Sequence, residues 1–248
     1  MPGLEFWAGY FRTIFVPQIE AFAESLSRRV LPSFDNIEAE GRRIEQEAYR
    51  QLSRWSPHDD EPEPDFAAAA EQAREQAITY WVMMYEVVQG VINLFAVGLW
   101  HLFEQQAARF ARNGLPYVFD PPNHPFRDVQ GALLHMGLDI TLLTSYPKVD
   151  ELRLLANCAK HGDGSACAQL RTRRPDLFTP WRHGDQFGPP GALPVIAPLG
   201  GEDLYLTPEG FQEYAAAVIA FWEELAAKVA VDPIAALRRA LHGRWHPE

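Results

Sequence analysis

The longest helix-compatible run in the chain is the feature that most limits how it can fold. From Ala67 to Asn113 the sequence contains no proline and is rich in alanine and large apolar residues. It therefore predicts one helix of about 70 Å, at 1.5 Å per residue, with Gly90 and Gly98 as points where it would bend. Other helices must cover the apolar surface of so long a helix, which favours an all-α helical bundle with a long central helix.

Part of this run also meets the length requirement for a membrane span. Tyr80 to Phe103 holds few polar residues over 24 positions. Glu86, Gln89 and Asn93 fall near one helical stripe, where a carboxylate and amides would be costly in lipid. We therefore predict a buried core helix and no membrane partner, and the polar row, which continues to His101 or Glu104, is a candidate functional feature.

The rest of the chain is predicted to form one helical domain over residues 1–248. An acidic, proline-rich stretch, "SPHDDEPEPDF" at residues 56–66, is typical of an exposed linker, so an N-terminal helical subdomain over residues 1–55 is the alternative. The segment from Leu193 to Thr207 carries the only strand signal, and we expect a small β-hairpin or extended arm there.

Composition limits the class of function. The chain has 248 residues, 47% of them hydrophobic, and a formal net charge of -11. Such acidity opposes general nucleic-acid binding, which depends on Lys and Arg spread over the surface. The two cysteines, Cys158 and Cys167, cannot form a disulfide framework, so we expect small, half-buried thiols and a cytoplasmic protein.

One stretch departs from the overall acidity. Between Lys148 and Arg182 there are seven Lys and Arg residues against four Asp and Glu, a local balance of +3. This basic segment is what binding to a phosphodiester backbone would need, and its candidate nucleic-acid-binding residues are Lys160, Arg171, Arg173 and Arg174. Alternatively, these side chains pair with the protein's own carboxylates.

The same stretch places three polar side chains on one helical face. Arg153, Asn157 and His161 are four residues apart, and Gly162 is placed to end the helix. In a structural interpretation His161 only complements the negative end of the helix dipole, which contributes about 0.3–1 kcal/mol. In a functional interpretation the same position favours a protonated imidazole that donates a proton or binds phosphate.

The motif "LANCAKHG" resembles the signature helix of the HEPN superfamily, helical-bundle nucleases and nucleotide-binding proteins of bacterial toxin-antitoxin and phage-defence systems. In that family an Arg is usually followed by a polar residue such as Asn, with a His four to six residues beyond the Arg and often a Gly next. Asn157, His161 and Gly162 match these places. Ala156 stands where the family usually has its Arg, and Arg153 lies one turn earlier.

The resemblance implies a metal-independent endoribonuclease that works as a homodimer and needs no cofactor. In such a site His161 would act as general acid or base, Arg153 would stabilise the pentavalent phosphate and Asn157 would position the 2'-hydroxyl. The family also places an acidic residue on an earlier helix, for which Glu104 and Glu86 are candidates. Because of Ala156, the resemblance also allows an RNA-binding protein without nuclease activity.

Two other interpretations come from the residues themselves. Cys158, His161 and Cys167 could supply three zinc ligands, with His183 available as a fourth, but paired ligand spacing is lacking and we predict no metal site. The acidity and the aromatic segments "FWAGYF" and "FWEEL" favour a second function, a non-catalytic interaction protein such as an antitoxin, immunity protein or complex subunit. Motifs of ATPases, dinucleotide-binding enzymes, α/β-hydrolases and zinc proteases are missing from the sequence.

Overall fold

The computed structural model describes residues 4–55, 65–115, 125–135, 137–162, 164–179 and 204–231. The regular structure within these ranges is helical, which confirms the predicted all-α bundle with a long central helix. The α-helices are α1 (Leu4–Tyr10), α2 (Val16–Ser25), α3 (Ile37–Leu52), α4 (Phe66–Gly114), α5 (Pro125–His135), α6 (Tyr146–His161), α7 (Ser165–Arg173) and α8 (Pro208–Val231).

Shorter turns link several of these helices. A π-helical turn joins α1 to α2 and a second one follows α2, so the N-terminal region runs as a nearly continuous helix. Pro17 is the second residue of α2, two positions after the first π-helical turn ends. Because proline has no N–H to donate, a locally widened turn accommodates it without breaking the helix.

The central helix α4 begins and ends within one residue of the predicted bounds. The Asp65 carboxylate caps it by accepting hydrogen bonds from the backbone N–H groups of Ala67 (2.9 Å) and Ala68 (3.1 Å). Helix α4 is unbroken over its 49 residues, about 74 Å. A Cβ atom at Gly98 would lie 2.8 Å from the Phe22 ring, so this glycine permits close packing of α2 on α4.

The second half of α4 lies in the core of the bundle, where helices α1, α2, α5, α6 and α8 pack around it. Trp222 of α8 is at the centre of an aromatic cluster, with ring centroids 4.8 Å from Phe11, 4.9 Å from Phe15 and 5.4 Å from Phe103. The Trp222 indole donates to the Gln106 side chain at 2.8 Å, and Gln106 donates to the Phe15 carbonyl at 3.1 Å. These bonds satisfy the Trp222 indole N–H and the side-chain amide of Gln106.

Among the described residues, the first half of α4 packs mainly against α3, and we call α3 with residues 66–87 of α4 the α3–α4 arm. The two helices are antiparallel, since the hydroxyls of Tyr80 and Tyr85 donate to Glu40 and Glu38 of α3. The buried residues of α4 within the arm are all small and lie one turn apart, namely Ala69, Ala73 and Ala77. Small side chains let the two backbones approach closely.

The closest approach in the α3–α4 arm is between Gly41 and Trp81. A Cβ atom added to Gly41 would lie 1.8 Å from the Trp81 indole nitrogen. Glycine is therefore required at this point, because any side chain would collide with the ring.

Two predicted segments fall partly outside the described residues. Most of the acidic linker lies there, and so does the predicted β-arm from Leu193 up to residue 203. Residues 204–207 are extended without forming a strand, and the Tyr205 N–H donates to the Leu177 carbonyl at 2.8 Å. Thr207 then begins α8 by accepting a hydrogen bond from the Gly210 N–H at 2.9 Å.

By length and composition, α4 meets the criteria for a membrane span. An 18-residue window of this helix has a mean hydropathy of 1.6, and 39% of that window is buried. The core helices of soluble proteins meet the same criteria, so this property is weak evidence for a membrane.

Candidate functional site

Helices α6 and α7 carry the predicted site residues and form a hairpin. Glu224 of α8 accepts hydrogen bonds from the backbone N–H groups of Thr144 (2.7 Å) and Ser145 (3.1 Å), which places a carboxylate at the positive end of α6. Helix α6 ends as predicted at Gly162, whose φ of 68° is in the left-handed region that glycine tolerates. The chain then reverses into α7.

A disulfide joins the two arms of this hairpin. Cys158 and Cys167 are bonded to each other, with their Cα atoms 4.6 Å apart, and both are fully buried. The prediction of half-buried thiols is therefore wrong, because the turn at Gly162 brings both sulfur atoms together inside the bundle. The bond also leaves neither sulfur free as a zinc ligand. Disulfides are typical of oxidising compartments, and the cytoplasmic localisation stays a prediction.

Two of the predicted arginines converge on one carboxylate of α6. Asp150 accepts hydrogen bonds from Arg153 at 2.7 and 2.9 Å and from Arg173 of α7 at 2.8 Å. Burial opposes ionisation of Asp150, but the bonds from Arg173 and Arg153 outweigh it, so the pKa of this carboxyl is lowered. Asp150 therefore holds both guanidinium groups as a charged acceptor.

Arg174 belongs to a second, more buried network. Its guanidinium donates to Glu151 at 2.6 Å and to Asp176 at 2.6 and 2.9 Å. Glu151 also accepts from the Tyr214 hydroxyl at 2.7 Å and from Lys148 at 3.1 Å. Although burial opposes its ionisation, these bonds hold the pKa of Glu151 below its usual value. The network fastens α6 to the end of α7 and to α8.

The fully buried Tyr214 side chain is the uncharged member of this network. Burial, together with the hydrogen bond to Glu151, raises the pKa of the Tyr214 hydroxyl. The hydroxyl therefore stays protonated and acts as a donor. Lys148 also lies over the Tyr214 ring, 4.5 Å from its centroid.

The basic segment is therefore largely matched by the protein's own acids. Arg153, Arg173 and Arg174 make the ion pairs described above, and Arg171 lies over the Phe178 ring at 4.5 Å. Of the predicted nucleic-acid-binding residues, Lys160 is exposed at the last turn of α6. The contacts agree with the alternative in which these cations pair with carboxylates of the same chain.

The predicted catalytic residues share one side of α6 but do not all meet. Arg153 and Asn157 are half-buried, and His161 is exposed in the last turn. Among the residues that the structure describes, no contact links Glu104 of α4 to this row. The row therefore consists of one arginine held by Asp150, one amide and one solvent-facing imidazole.

Two members of the polar row of α4 have a structural role. The buried side chains of Gln89 and Asn93 donate to the carbonyls of Leu206 and Leu204, each at 2.9 Å. Four residues of helix rise about 6 Å, which is close to the length of two residues of extended chain. Two amides one turn apart thus match alternate carbonyls of the extended segment and hold it against α4. His101, by contrast, is exposed.

A feature not identified from the sequence is the solvent-exposed surface of α4 between residues 78 and 94, which we call its outer face. Its large apolar side chains are between 38% and 52% exposed, and they are Ile78, Val82, Met83, Val87 and Leu94. The sequence could have indicated this exposed surface, because the apolar residues of this run occur on all sides of the helix and α3 covers only one of them.

In comparisons with protein-family models, curated proteins and solved structures, no match to this chain is found. The HEPN resemblance of "LANCAKHG" therefore remains a prediction from the sequence.

Proposed function

We propose that this protein is a non-catalytic helical interaction protein that binds a protein partner through the outer face of α4. The observation that carries the proposal is that five large apolar side chains are exposed within 17 consecutive residues of α4. Large apolar side chains exposed close together and bordered by polar residues are typical of protein interaction sites. The ion pairing of the basic segment supports the choice, because it leaves fewer cations for phosphate contacts.

Site-specific photocrosslinking in cells that express the full chain tests this proposal. A photoreactive residue at Met83 is expected to give a discrete adduct with another protein, whereas the same residue at the exposed Glu20 of α2 is the matched control. The Met83 adduct should be lost when Val82→Ser and Val87→Ser are added, because these changes remove apolar contact area. Equal labelling from both positions, or adducts that survive the two serines, would refute the proposal.

A HEPN-like effector that binds or cleaves RNA, acting as a homodimer in bacterial defence, is the second proposed function. It is supported by Lys160 and His161, which are exposed at the end of α6, with half-buried Asn157 one turn earlier. Exposed side chains of these types, at one helix end, can reach a phosphate and a 2'-hydroxyl.

Incubation of the pure protein with a labelled RNA pool tests the second proposal, with cleavage and gel retardation as readouts. His161→Ala is expected to reduce either activity at least about tenfold if the imidazole takes part. His101→Ala is the matched control, since His101 is also an exposed histidine at the surface of the bundle. If wild type and both variants behave alike, the RNA function is excluded.

A further inference from the structure

We propose that the disulfide between Cys158 and Cys167 is a redox-sensitive lock on the end of α6, which is held firmly when the bond is closed and loosens when the two thiols are reduced. Three properties of the α6–α7 hairpin support this: the place of the bond, the contacts that persist without it, and the side chains beside it. Its consequence for RNA rests on the second proposed function, because Asn157, Lys160 and His161 belong to that site.

The lock closes the hairpin at its turn. Cys158 lies in the last turn of α6, Cys167 is the third residue of α7, and their sequence separation is 9. Gly162, which ends α6, donates its N–H to the Cys158 carbonyl at 2.9 Å. In the first turn of α7 the Ala168 N–H donates to the Gly164 carbonyl at 2.9 Å. The bond therefore fastens the last turn of one helix to the first turn of the next, across a short loop.

Other contacts keep α7 on α6 when the bond is open. Arg173 of α7 donates to Asp150 of α6 at 2.8 Å. Arg174, which follows α7, donates to Glu151 at 2.6 Å, and Leu170 of α7 is fully buried. These contacts lie in or beyond the second half of α7, so a reduced hairpin stays folded there and loosens at its turn. Because the two thiols then remain close to each other, the bond can form again.

The burial of both sulfur atoms decides how the lock opens. Cys158 and Cys167 have no exposed surface, whereas an attacking thiol must reach one of the two sulfur atoms. Around them His161, Gly164 and Ser165 are exposed. A local opening of the turn is therefore enough to admit a small thiol, and the frequency of that opening limits the rate of reduction.

The reaction is a thiol–disulfide exchange with a small-molecule couple such as glutathione. One glutathione thiolate attacks a cysteine sulfur and forms a mixed disulfide, and a second releases the remaining protein thiolate. The protein gains two electrons and two protons as two thiols, and the two glutathione molecules leave as one disulfide. Oxidation is the reverse reaction. The redox state of the compartment therefore sets which form of the protein is populated.

The lock acts on the polar end of α6. Asn157 directly precedes Cys158, and Lys160 and His161 are exposed in the same last turn. With the bond closed, this turn is tied to α7 and its side chains keep one arrangement. A fixed arrangement lowers the entropy cost of binding a phosphate group, so we expect the oxidised protein to bind RNA about threefold or more tightly than the reduced protein.

Hydrogen exchange of the full-length protein, followed by NMR in glutathione disulfide and in glutathione, tests the lock. The N–H groups of Gly162 and Ala168 should exchange at least about tenfold faster in the reduced protein. The Phe211 N–H donates to the Thr207 carbonyl at 2.9 Å in the first turn of α8, and as the control it should change less than about twofold. Labelling with iodoacetamide and mass spectrometry should find no free thiol in the oxidised sample and both thiols free in the reduced one.

Two variants separate the bond from other effects of glutathione. Cys158→Ala with Cys167→Ala should exchange at the turn like the reduced wild type in both buffers, because it has no bond to open. Arg173→Gln is the matched control, since it removes the contact with Asp150 at the other end of α7. This variant should keep the full response of the turn to glutathione.

Several outcomes would overturn the inference: no disulfide in glutathione disulfide, a bond that glutathione reduces only in unfolded protein, or equal exchange of Gly162 and Ala168 in both forms. An equal rise in exchange at Phe211 would also overturn it, since reduction would then unfold the whole bundle.

Gel retardation with the labelled RNA pool measures the consequence of the lock for the second proposed function. If both forms bind RNA equally, the regulatory role is overturned. If neither form binds RNA, the second proposed function fails, while hydrogen exchange still decides whether the lock exists.

Discussion

The hydrogen bonds from Gln89 and Asn93 to residues 204–207 give the sharpest test of how α4 stabilises the fold. Asn93→Ala removes the donor to the Leu204 carbonyl and the acceptor of the Gln89 side chain, at 2.9 and 3.3 Å. A buried carbonyl left unpaired costs about 1–3 kcal/mol, and the small cavity adds to this. We expect a loss of about 2–3 kcal/mol in the free energy of unfolding, which lowers Tm by about 4–12 °C.

Urea unfolding of Asn93→Ala and of Gln76→Ala measures this effect. Gln76 is an exposed amide on the same helix, and its replacement should change the free energy of unfolding by less than about 0.5 kcal/mol. Because Gln89 and Asn93 share a hydrogen bond, Gln89→Ala and Asn93→Ala should be non-additive by at least about 0.5 kcal/mol in a double-mutant cycle.

Hydrogen exchange shows whether the segment opens locally or with the whole fold. In Asn93→Ala, the Tyr205 N–H, which donates to the Leu177 carbonyl, should exchange faster than in wild type. The role assigned to the amides is refuted if Asn93→Ala matches Gln76→Ala in urea and leaves exchange of the Tyr205 N–H unchanged.

Three further substitutions test the arm and the α6–α7 hairpin. Gly41→Ala forces a Cβ into the facing tryptophan and should destabilise by about 1–3 kcal/mol, whereas Gly9→Ala, whose Cβ meets nothing within 4 Å, should be neutral or stabilising in thermal unfolding. Cys158→Ala with Cys167→Ala removes the disulfide that closes a short loop and should lower the free energy of unfolding, measured in urea, by about 2–3 kcal/mol. A reductant should lower the stability of the wild type to the same level. A wild type whose stability does not change with reductant would contradict this prediction. Glu151→Gln tests the pH dependence of stability. The folded state lowers the pKa of Glu151, so this carboxylate stabilises the fold above its ordinary pKa of 4.5, and the contribution is lost as the pH falls through the folded pKa. The decline in stability that the wild type shows below about pH 5 should therefore be shallower in the variant.

The sequence predicts the central helix closely because its signals are local. Absence of proline and frequent alanine and apolar residues are properties of the run itself, so α4 begins and ends within one residue of the expected bounds. The packing role of Gly98 was not predicted, since it depends on Phe22, which is distant in the sequence. Periodicity alone does not reveal such partners.

The candidate site was less predictable because its contacts are tertiary. Asp150 and Arg153 are three residues apart on one helix, so their ion pair can be inferred from the spacing. Pairing of Arg173 and Arg174 with the acids of α6 requires knowing that α7 folds back, and so does the disulfide. A local excess of positive charge in the sequence therefore did not indicate free cations in the fold.

The two halves of α4 differ in how the fold covers them, and this difference bears on the proposed interaction. In the second half, large aromatic side chains and paired amides cover the helix, and burial of each large side chain contributes about 1.5–3 kcal/mol. In the arm, the buried row consists of Ala69, Ala73 and Ala77, whose single methyl groups contribute far less. Tyr80, Trp81, Met84 and Tyr85 are partly buried, whereas Ile78, Val82, Met83 and Val87 are exposed and contribute little to the fold. A partner bound there, as proposed above, would bury these four side chains and stabilise the arm by mass action.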